Sequence, residues 1–284
     1  MDKVHIEKNT VQETLVIPLY ARKLCSEQFP TLFRDEKAME LIERLDYDFS
    51  QIERKSQSLM QRFGALEVAM RQNDLAAEVR DYLKQHPKAA VVNLGCGLDQ
   101  TAETCDNGNC CICNVDFADV IAVRNTLLPE RDRVKNIASD LNDTRWFEQI
   151  DDSDGVIFLA AGVFYYFREE QVKTLLRKMA RHFPGGRLVF DTAGKKAVSM
   201  MIKTWVKQAG IRDVDAFFHV NDIEKDVIPW MGEAKVTSRG YMLGYYDLKD
   251  ASVSAFFRFL AKVGDNMMRM QIVRIDFENW RGER

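Results

Sequence analysis

The sequence of 284 residues predicts an α/β protein built on a doubly wound, mostly parallel sheet. Two observations predict this fold. Short apolar runs at residues 90–94, 111–116, 155–161 and 187–191 are separated by helical stretches, and the first run enters a glycine turn. Apolar runs of this length are typical of strands buried on both faces. Their alternation with helices is typical of parallel strand–helix–strand units.

The first 85 residues read as helical. Apolar residues at i, i+3, i+4 and i+7 predict an amphipathic helix that contains Ala38, Leu41, Ile42 and Leu45. Residues 50–71 and 74–85 show the same period less regularly, which predicts two further helices. The Asp74 side chain is placed to cap the second of these, and a His-Pro pair at 86–87 ends it.

The chain becomes less regular after the fourth apolar run. A helix over 169–182 precedes that run, and further helices are predicted over 195–208, 221–231 and 251–263. Strands are predicted over 235–243 and 270–277. A further strand, the third along the chain, is predicted to end at 137–141, and the two late strands would complete a seven-stranded sheet.

Composition and charge exclude several classes of protein. Forty basic and 43 acidic residues give a net charge of −3, which argues against nucleic acid as a partner. The longest apolar stretch, 156–167, has about 12 residues, well short of the roughly 20 that span a bilayer, so no membrane association is expected. The N-terminus lacks an apolar signal region, so we expect a cytoplasmic protein with reduced thiols.

The glycine turn after the first run is the most informative motif. Gly95 and Gly97 allow the backbone to pass close under a ligand, with Cys96 between them as a small filler. A dinucleotide-binding turn has a third glycine three residues later, but this chain has Gln100 there. A nicotinamide dinucleotide is therefore disfavoured.

Acidic residues follow the next two predicted strands. Asp116 lies nineteen residues after Gly97, at the tip of the second strand, where a carboxylate accepts hydrogen bonds from ribose hydroxyls. A ribose without a diphosphate is found in S-adenosylmethionine. Asp140 and Leu141 follow the third strand and are placed to bind adenine. Alternatively, Asp140 caps the helix around Trp146.

An ordered set of motifs resembles the leucine carboxyl methyltransferase family. The resemblance is narrower to its polyketide-type, tetracenomycin-synthesis-like O-methyltransferase branch. It extends over roughly residues 14–194, about two thirds of the chain. The motifs that carry it lie at 17–22, 46–49, 94–99, 106–108, 115–124, 160–167 and 183–186.

The resemblance implies a Rossmann-like, class I S-adenosylmethionine-dependent methyltransferase. It implies a helical lid over 1–85 and a core over 86–284, with a lid insertion at about 195–220. Arg71 matches the arginine that pairs with the cofactor carboxylate in relatives. The cofactor-binding residues expected on this basis are Arg71, Gly95, Cys96, Gly97, Asp116, Phe117, Asp140, Leu141 and Ala161.

Two departures from the family pattern concern the cofactor site. The family usually continues Gly-Leu-Asp-Thr-Arg, whereas this chain has Gln100 and Thr101 after Asp99, so one basic contact is missing. Relatives often carry Glu-Gly after the fourth strand. Here Ala161 precedes Gly162, which removes a carboxylate near the sulfonium.

The predicted activity is O-methylation of a small carboxylate or phenolic, polyketide-like metabolite. Because no base is evident, and a carboxylate is already ionised at neutral pH, carboxyl methylation is slightly favoured. Tyr165 and Tyr166 follow the fourth strand and either orient the acceptor or line its pocket. Tyr20 and Arg22 either bind an acidic substrate or lie on a helix surface.

Other functions remain open from the sequence. A protein C-terminal carboxyl methyltransferase would need a groove for a peptide tail, and a non-catalytic S-adenosyl ligand-binding protein would fit the two departures. Four cysteines at 105–113 invite a zinc site. If 110–113 is a strand, however, these thiols alternate between its faces and do not converge, so no metal is expected. The sequence does not specify the oligomeric state.

Overall fold

A computed structural model describes residues 3–7, 11–56, 58–201, 216–245, 248 and 250–277. The strands in these residues are β1 (Val4–His5), β2 (Leu45–Asp46), β3 (Ala90–Leu94), β4 (Cys111–Asp116), β5 (Val134–Ala138), β6 (Val156–Ala160), β7 (Arg187–Thr192), β8 (Lys235–Gly240) and β9 (Gln271–Asp276). The first two form a small parallel pair.

Helices surround the main sheet. They are α1 (Val16–Gln28), α2 (Glu36–Glu43), α3 (Ser50–Ser56), α4 (Leu59–Gln85), α5 (Ala118–Leu127), α6 (Glu169–His182), α7 (Lys195–Met201), α8 (Ile223–Asp226), α9 (Ile228–Met231) and α10 (Ala255–Asn266). Short 3₁₀ turns lie at Val11–Leu15, Glu103–Cys105, Thr144–Gln149 and Phe164–Tyr166.

The main sheet has seven strands in the order β5-β4-β3-β6-β7-β9-β8. Strands β3 to β7 are parallel, and β9 is antiparallel to both β7 and β8. This sheet confirms the predicted fold class. The strand order reverses on either side of β3, and ligand sites of doubly wound sheets lie at the carboxyl ends of strands at such a point.

Apolar residues cover both faces of the sheet. On one face, α4 packs against β6, β7 and β9, and its side chains Leu75 and Val79 are fully buried there. On the other face, α6 contributes Leu176 and Met179 to a second core that contains Trp146. Helix α4 also packs against α1, so it contacts both the N-terminal helices and the sheet. The division at residue 85 stays a prediction.

Helix α4 differs from the sequence prediction, which placed two helices over this stretch and a cap at Asp74. The helix is continuous, and Ser58 caps it by accepting a hydrogen bond from the Gln61 amide. Asp74 does not cap a helix because its side chain is fully buried in the middle of α4, where it accepts from the Tyr245 backbone amide at 3.3 Å.

The C-terminal helices also differ in detail from their predicted bounds. The predicted helix 221–231 is split at Val227 into α8 and α9, with Pro229 in the first turn of α9. The last helix begins only after its cap, Ser254. The predicted helix 195–208 is seen as far as Met201, and most of the predicted lid insertion lies outside the described residues.

None of the helices in the described part of the chain has the length and apolar composition that crossing a bilayer requires. The cytoplasmic location stays a prediction.

Candidate functional site

A cavity of about 470 Å³ lies at the carboxyl ends of β3, β4 and β6. Of the predicted site residues, those that line it are Arg22, Arg71, Gly95, Cys96, Gly97, Asp116, Phe117, Leu141, Ala161 and Tyr166. Tyr20, Asp140 and Tyr165 are not among its lining residues. The structure therefore brings together residues that are far apart in sequence, from α1 to the end of β6.

The glycine turn lines the cavity, and its backbone conformation favours glycine at two positions. Gly95 and Gly97 have φ values of +59° and +48°, in the left-handed region. A Cβ on Gly95 would lie 2.6 Å from Val163 Cγ2, and one on Gly97 would lie 2.9 Å from Leu15 Cδ2. The N-terminal 3₁₀ turn thus lies directly over the glycine turn. Cys96 is buried between them, and burial raises the pKa of its thiol, which keeps it protonated.

Asp116 is held by the glycine turn itself. Its Oδ2 accepts from the Gly97 amide at 2.8 Å, and its Oδ1 accepts from the Phe117 amide at 2.7 Å. Burial raises the pKa of this carboxyl. Each carboxylate oxygen has a further lone pair, so Asp116 retains the capacity to accept hydrogen bonds from two ligand hydroxyls.

Arg124 supports the turn from behind, and the sequence analysis missed it. Its fully buried guanidinium donates from Nη1 to the carbonyl oxygens of Gly97 (2.9 Å) and Asp99 (2.8 Å) and from Nη2 to Glu103 Oε1 (2.6 Å). A signal was present in the sequence. Arg124 lies on the face of α5 that is otherwise apolar, where a charge requires buried partners.

Arg22 joins α1 to the same turn. Its Nη1 donates to Asp99 Oδ1 at 2.9 Å, its Nη2 donates to the Leu98 carbonyl at 3.2 Å, and its Nε lies 3.1 Å from Asp35 Oδ2. The side chain lines the cavity, but both neighbouring carboxylates pair with its charge. Two carboxylates therefore already balance the charge of Arg22, and its role in binding an acidic substrate stays a prediction.

Thr101 stands where the family pattern has an arginine, and it binds Asp99. The Thr101 hydroxyl donates to Asp99 Oδ1 at 2.9 Å, and the Thr101 amide donates to Asp99 Oδ2 at 3.1 Å. Together with Arg22, these contacts hold Asp99 beneath the turn.

Tyr20 lies away from the cavity wall. Its ring is buried, stacks on Phe49 at a centroid distance of 5.7 Å, and has Lys23 Nζ 5.4 Å from its centroid. These contacts are those of a buried helix-packing residue, whereas the alternative interpretation from the sequence placed Tyr20 on a helix surface.

A second charged cluster lies between the middle of α4 and the end of β7. Asp191 Oδ2 accepts from Arg71 Nη1 and from the Tyr165 hydroxyl, both at 3.0 Å, while its Oδ1 accepts from the Gly162 amide at 2.5 Å. A Cβ on Gly162 would lie 3.0 Å from Arg71 Nη1, so the glycine makes room for the guanidinium. The sequence analysis missed Asp191. A signal was present, because Asp191 is a charged residue near the end of a buried, largely apolar strand.

The two adjacent tyrosines have different surroundings. Tyr165 is buried behind the cavity wall, and its hydroxyl is committed to Asp191. Burial and the nearby Asp191 charge raise its pKa well above the ordinary value. Tyr166 lines the cavity and remains partly exposed. Of the two, only Tyr166 is positioned to contact a bound molecule.

The part of the cavity that the sequence predicts to bind adenine contains Leu141 and Ser139, which line the wall. Asp140 is exposed, and its Oδ1 accepts from the backbone and side-chain amides of Asn142, both at 2.9 Å. The turn that contains Trp146 is capped by Asp143. The alternative capping role for Asp140 is therefore wrong.

The cavity fits an adenosine joined to an amino-acid tail. Arg71 Nε is buried and has no hydrogen-bond partner within the described chain, which leaves a donor for an anionic group. The glycine turn gives access to the backbone, and Asp116 supplies the acceptor for ribose hydroxyls. These three features match the carboxylate, the methionyl chain with its sulfonium and the ribose of S-adenosylmethionine.

The cysteines show no convergence on one point. Cys105 and Cys110 pack into the core on one face of the sheet, Cys113 packs into the other, and Cys111 is exposed. Among the residues that the structure describes, no group of three or more His, Cys, Asp or Glu side chains is arranged to hold a metal ion.

Two relatives are similar in sequence. The chain is 34% identical over 182 residues to the tetracenomycin polyketide synthesis O-methyltransferase TcmP of Streptomyces glaucescens. The matched residues make up 64% of this chain and 65% of that protein. The match thus spans slightly less than two thirds of this relative. The chain is 26% identical over 237 residues to the S-adenosyl-L-methionine-dependent methyltransferase dpfgK of Gibberella zeae, 77% of each chain.

Two solved structures share the fold. One is a protein from Thermobifida fusca YX provisionally described as a methyltransferase, with a TM-score of 0.60, 13% identity and coverage of 94% of this chain and 97% of that one. The other is a DUF574 family protein from Streptomyces avermitilis, with a TM-score of 0.60, 11% identity and coverage of 90% and 96%.

A family model described as leucine carboxyl methyltransferase matches residues 7–180, more than half of the chain. This match confirms the family to which the sequence motifs pointed and, with it, S-adenosylmethionine as the cofactor. The chain belongs to the leucine carboxyl methyltransferase family.

Proposed function

We propose that this protein is an S-adenosylmethionine-dependent O-methyltransferase whose acceptor is a small carboxylate or phenolic metabolite. One observation carries the proposal. A single cavity combines the glycine turn, Asp116 and the Arg71 guanidinium with a wall that is otherwise largely apolar and aromatic, including Val68, Phe167 and Phe217. The similarity to an O-methyltransferase of polyketide synthesis supports a polyketide-like acceptor.

Each part of the cofactor has a residue to hold it. Arg71 would pair with its carboxylate, the glycine turn would pass beneath its methionyl chain, Asp116 would accept from its ribose hydroxyls and Leu141 would pack on its adenine. S-adenosylmethionine supplies an electrophilic methyl group on a sulfonium. Because the methyl carbon is already activated, the protein has to position the acceptor and exclude water.

The cavity wall performs those two tasks. Leu15, Pro18 and Leu19 cover the glycine turn from the N-terminal side and keep water from it. Tyr166 lines the cavity, and we assign its hydroxyl to donate a hydrogen bond to the acceptor oxygen. Desolvation by the surrounding wall raises the pKa of Tyr166 above its ordinary value, so Tyr166 is protonated at neutral pH and orients the acceptor without removing a proton.

The surroundings of the cavity carboxylates favour a carboxylate acceptor. Asp99 accepts from Arg22 and Thr101, and Asp116 accepts from two backbone amides. Asp99 is thus occupied by Arg22 and Thr101, and the remaining lone pairs of Asp116 are assigned to the ribose hydroxyls, so neither carboxylate is assigned as a base. A carboxylate acceptor needs no base because it is ionised before it binds.

A methyl-transfer assay tests this proposal. The full chain is incubated with S-adenosylmethionine that carries a labelled methyl group and with pairs of aromatic acceptors that differ only in carrying a carboxyl or a phenolic hydroxyl. The proposal predicts labelled, base-labile esters from the carboxylic acids. Transfer only to a peptide C-terminus would instead favour a protein carboxyl methyltransferase. Binding of S-adenosylhomocysteine with no transfer to any acceptor would favour a non-catalytic ligand-binding protein.

A further inference from the structure

The Gln72 side chain is an unexplained polar group in the cavity wall. Gln72 follows Arg71 on α4, and both side chains line the cavity. Its Oε1 is buried and has no hydrogen-bond partner within the described residues. Burial removes this oxygen from water, and no donor of the described residues replaces the water. The position is therefore unfavourable for an oxygen unless a ligand donates a hydrogen bond to it.

Gln72 and Arg71 offer complementary groups. The buried Nε of Arg71 can only donate a hydrogen bond, and the buried Oε1 of Gln72 can only accept one. Both atoms lack partners in the described part of the chain. A donor and an acceptor on consecutive residues of one helix match the carboxylate and the ammonium group of an α-amino acid.

The turn after β6 does not provide an acidic side chain for that ammonium group. Ala161 lines the cavity there with only a methyl group, and Gly162 lies against the Arg71 guanidinium. The nearby Asp191 is already occupied by Arg71, Tyr165 and the Gly162 amide. The turn after β6 thus offers no free acidic side chain to an ammonium group bound beside Arg71, whereas α4 presents a side-chain acceptor.

We propose that Gln72 accepts a hydrogen bond from the α-ammonium group of the cofactor's amino-acid tail. In this way α4 holds both ends of the tail, the carboxylate through Arg71 and the ammonium through Gln72. The inference rests on the proposed use of S-adenosylmethionine, and it assigns a residue that compensates for the missing side chain at Ala161.

Three ligands separate this role from a structural one. S-adenosylhomocysteine carries the whole tail, its deaminated analogue keeps the carboxylate without the ammonium, and 5′-methylthioadenosine has neither. Calorimetry on the full chain should show that Gln72→Met weakens S-adenosylhomocysteine binding about 10-fold, the effect of one lost hydrogen bond to a charged group. Binding of the other two ligands should change less than about twofold, since neither donates to Gln72.

Two further variants complete the test. Gln72→Glu offers a carboxylate to the same ammonium and should bind S-adenosylhomocysteine at least as tightly as the wild type, with no gain for the deaminated analogue. Gln85→Met makes the same chemical change at an exposed position at the end of α4 and should leave all three affinities unchanged. Thermal melting of each variant checks that it is folded.

Specific outcomes would overturn the inference. An equal loss for all three ligands in Gln72→Met would mean that Gln72 supports the fold, and an unchanged affinity for S-adenosylhomocysteine would mean that its oxygen faces something else. If the wild-type chain binds neither S-adenosylhomocysteine nor 5′-methylthioadenosine, the proposed function itself fails, which is a different result.

Discussion

Arg71 and Asp191 form an ion pair that fastens α4 to the end of β7, with Nη1 and Oδ2 3.0 Å apart. The Asp191 side chain is 1% exposed and that of Arg71 is 14% exposed. The pair therefore has little access to water, and each charge depends on the other. Because the carboxylate also accepts from Tyr165 and Gly162, it fixes the direction in which the guanidinium faces the cavity.

Asp191→Asn should remove the counter-ion of Arg71 while it preserves the shape of the side chain at position 191. The buried guanidinium loses its counter-ion, so we expect a loss of about 3 kcal/mol in the free energy of unfolding and at least a tenfold weaker affinity for S-adenosylhomocysteine. Urea unfolding and calorimetry measure the two effects. Tyr165→Phe, which removes one hydrogen bond to the same carboxylate, should cost only about 1 kcal/mol. Equal effects of the two variants would contradict the role given to the ion pair.

Asp116→Ala should weaken S-adenosylhomocysteine binding by about 1.5–3 kcal/mol because the ribose hydroxyls lose their acceptor. The same loss is expected for 5′-methylthioadenosine, which retains the ribose. Asp119→Ala provides the control, since Asp119 is an exposed acid in the first turn of α5. An unchanged affinity in Asp116→Ala, measured by calorimetry, would remove the ribose from this position.

Gly95→Ala should disrupt the glycine turn through a steric contact as well as through backbone strain. The new Cβ would lie 2.6 Å from Val163 Cγ2, so either the turn or the Val163 side chain has to move. Gly108→Ala is a matched control because Gly108 also has a positive φ, +85°, but nothing lies within 4 Å of its Cβ position. Both variants should lose about 1 kcal/mol of stability from strain, and only Gly95→Ala should lose S-adenosylhomocysteine binding. Equal binding by both would mean that the turn does not approach the ligand.

Asp74 predicts a dependence of stability on pH. Burial raises the pKa of this carboxyl to about 7, although Arg239 lowers it in part. The folded protein therefore favours the protonated acid, and the stabilisation is complete below pH 4 and is lost as the pH rises through about 7. Asp74→Asn cannot titrate. Its free energy of unfolding relative to the wild type should increase by more than about 1 kcal/mol between pH 5 and pH 8. Urea unfolding at both pH values checks this, and a constant difference would mean that Asp74 stays ionised.

The sheet was largely predictable from the sequence because each strand is a short apolar run between turns. Strands β3 and β4 have the predicted bounds, since both are buried along nearly their whole length and end at a glycine or an acid. The continuity of α4 was not predictable. Gln72, Asn73 and Asp74 resemble a helix boundary, and only the tertiary partner of the Asp74 carboxylate, the Tyr245 amide 171 residues away, explains why a polar residue lies inside the helix.

The cavity was predictable in its cofactor half and less so elsewhere. A glycine turn and the acid at the end of the next strand are close in sequence, so the contact between Gly97 and Asp116 could be predicted from their spacing. Asp191 and Arg71 are 120 residues apart in sequence, so no local sequence pattern predicts their contact. Likewise, nothing in the sequence distinguishes Tyr165 from Tyr166, because a single 3₁₀ turn directs one side chain to Asp191 and the other to the cavity.

Calorimetric titration of the wild-type chain with S-adenosylhomocysteine, repeated with NADH, tests the central claim most directly. The cavity should bind one molecule of S-adenosylhomocysteine per chain, and NADH should neither bind nor compete, because Gln100 stands where a pyrophosphate-binding turn needs its third glycine. Binding of NADH without binding of S-adenosylhomocysteine would contradict the account.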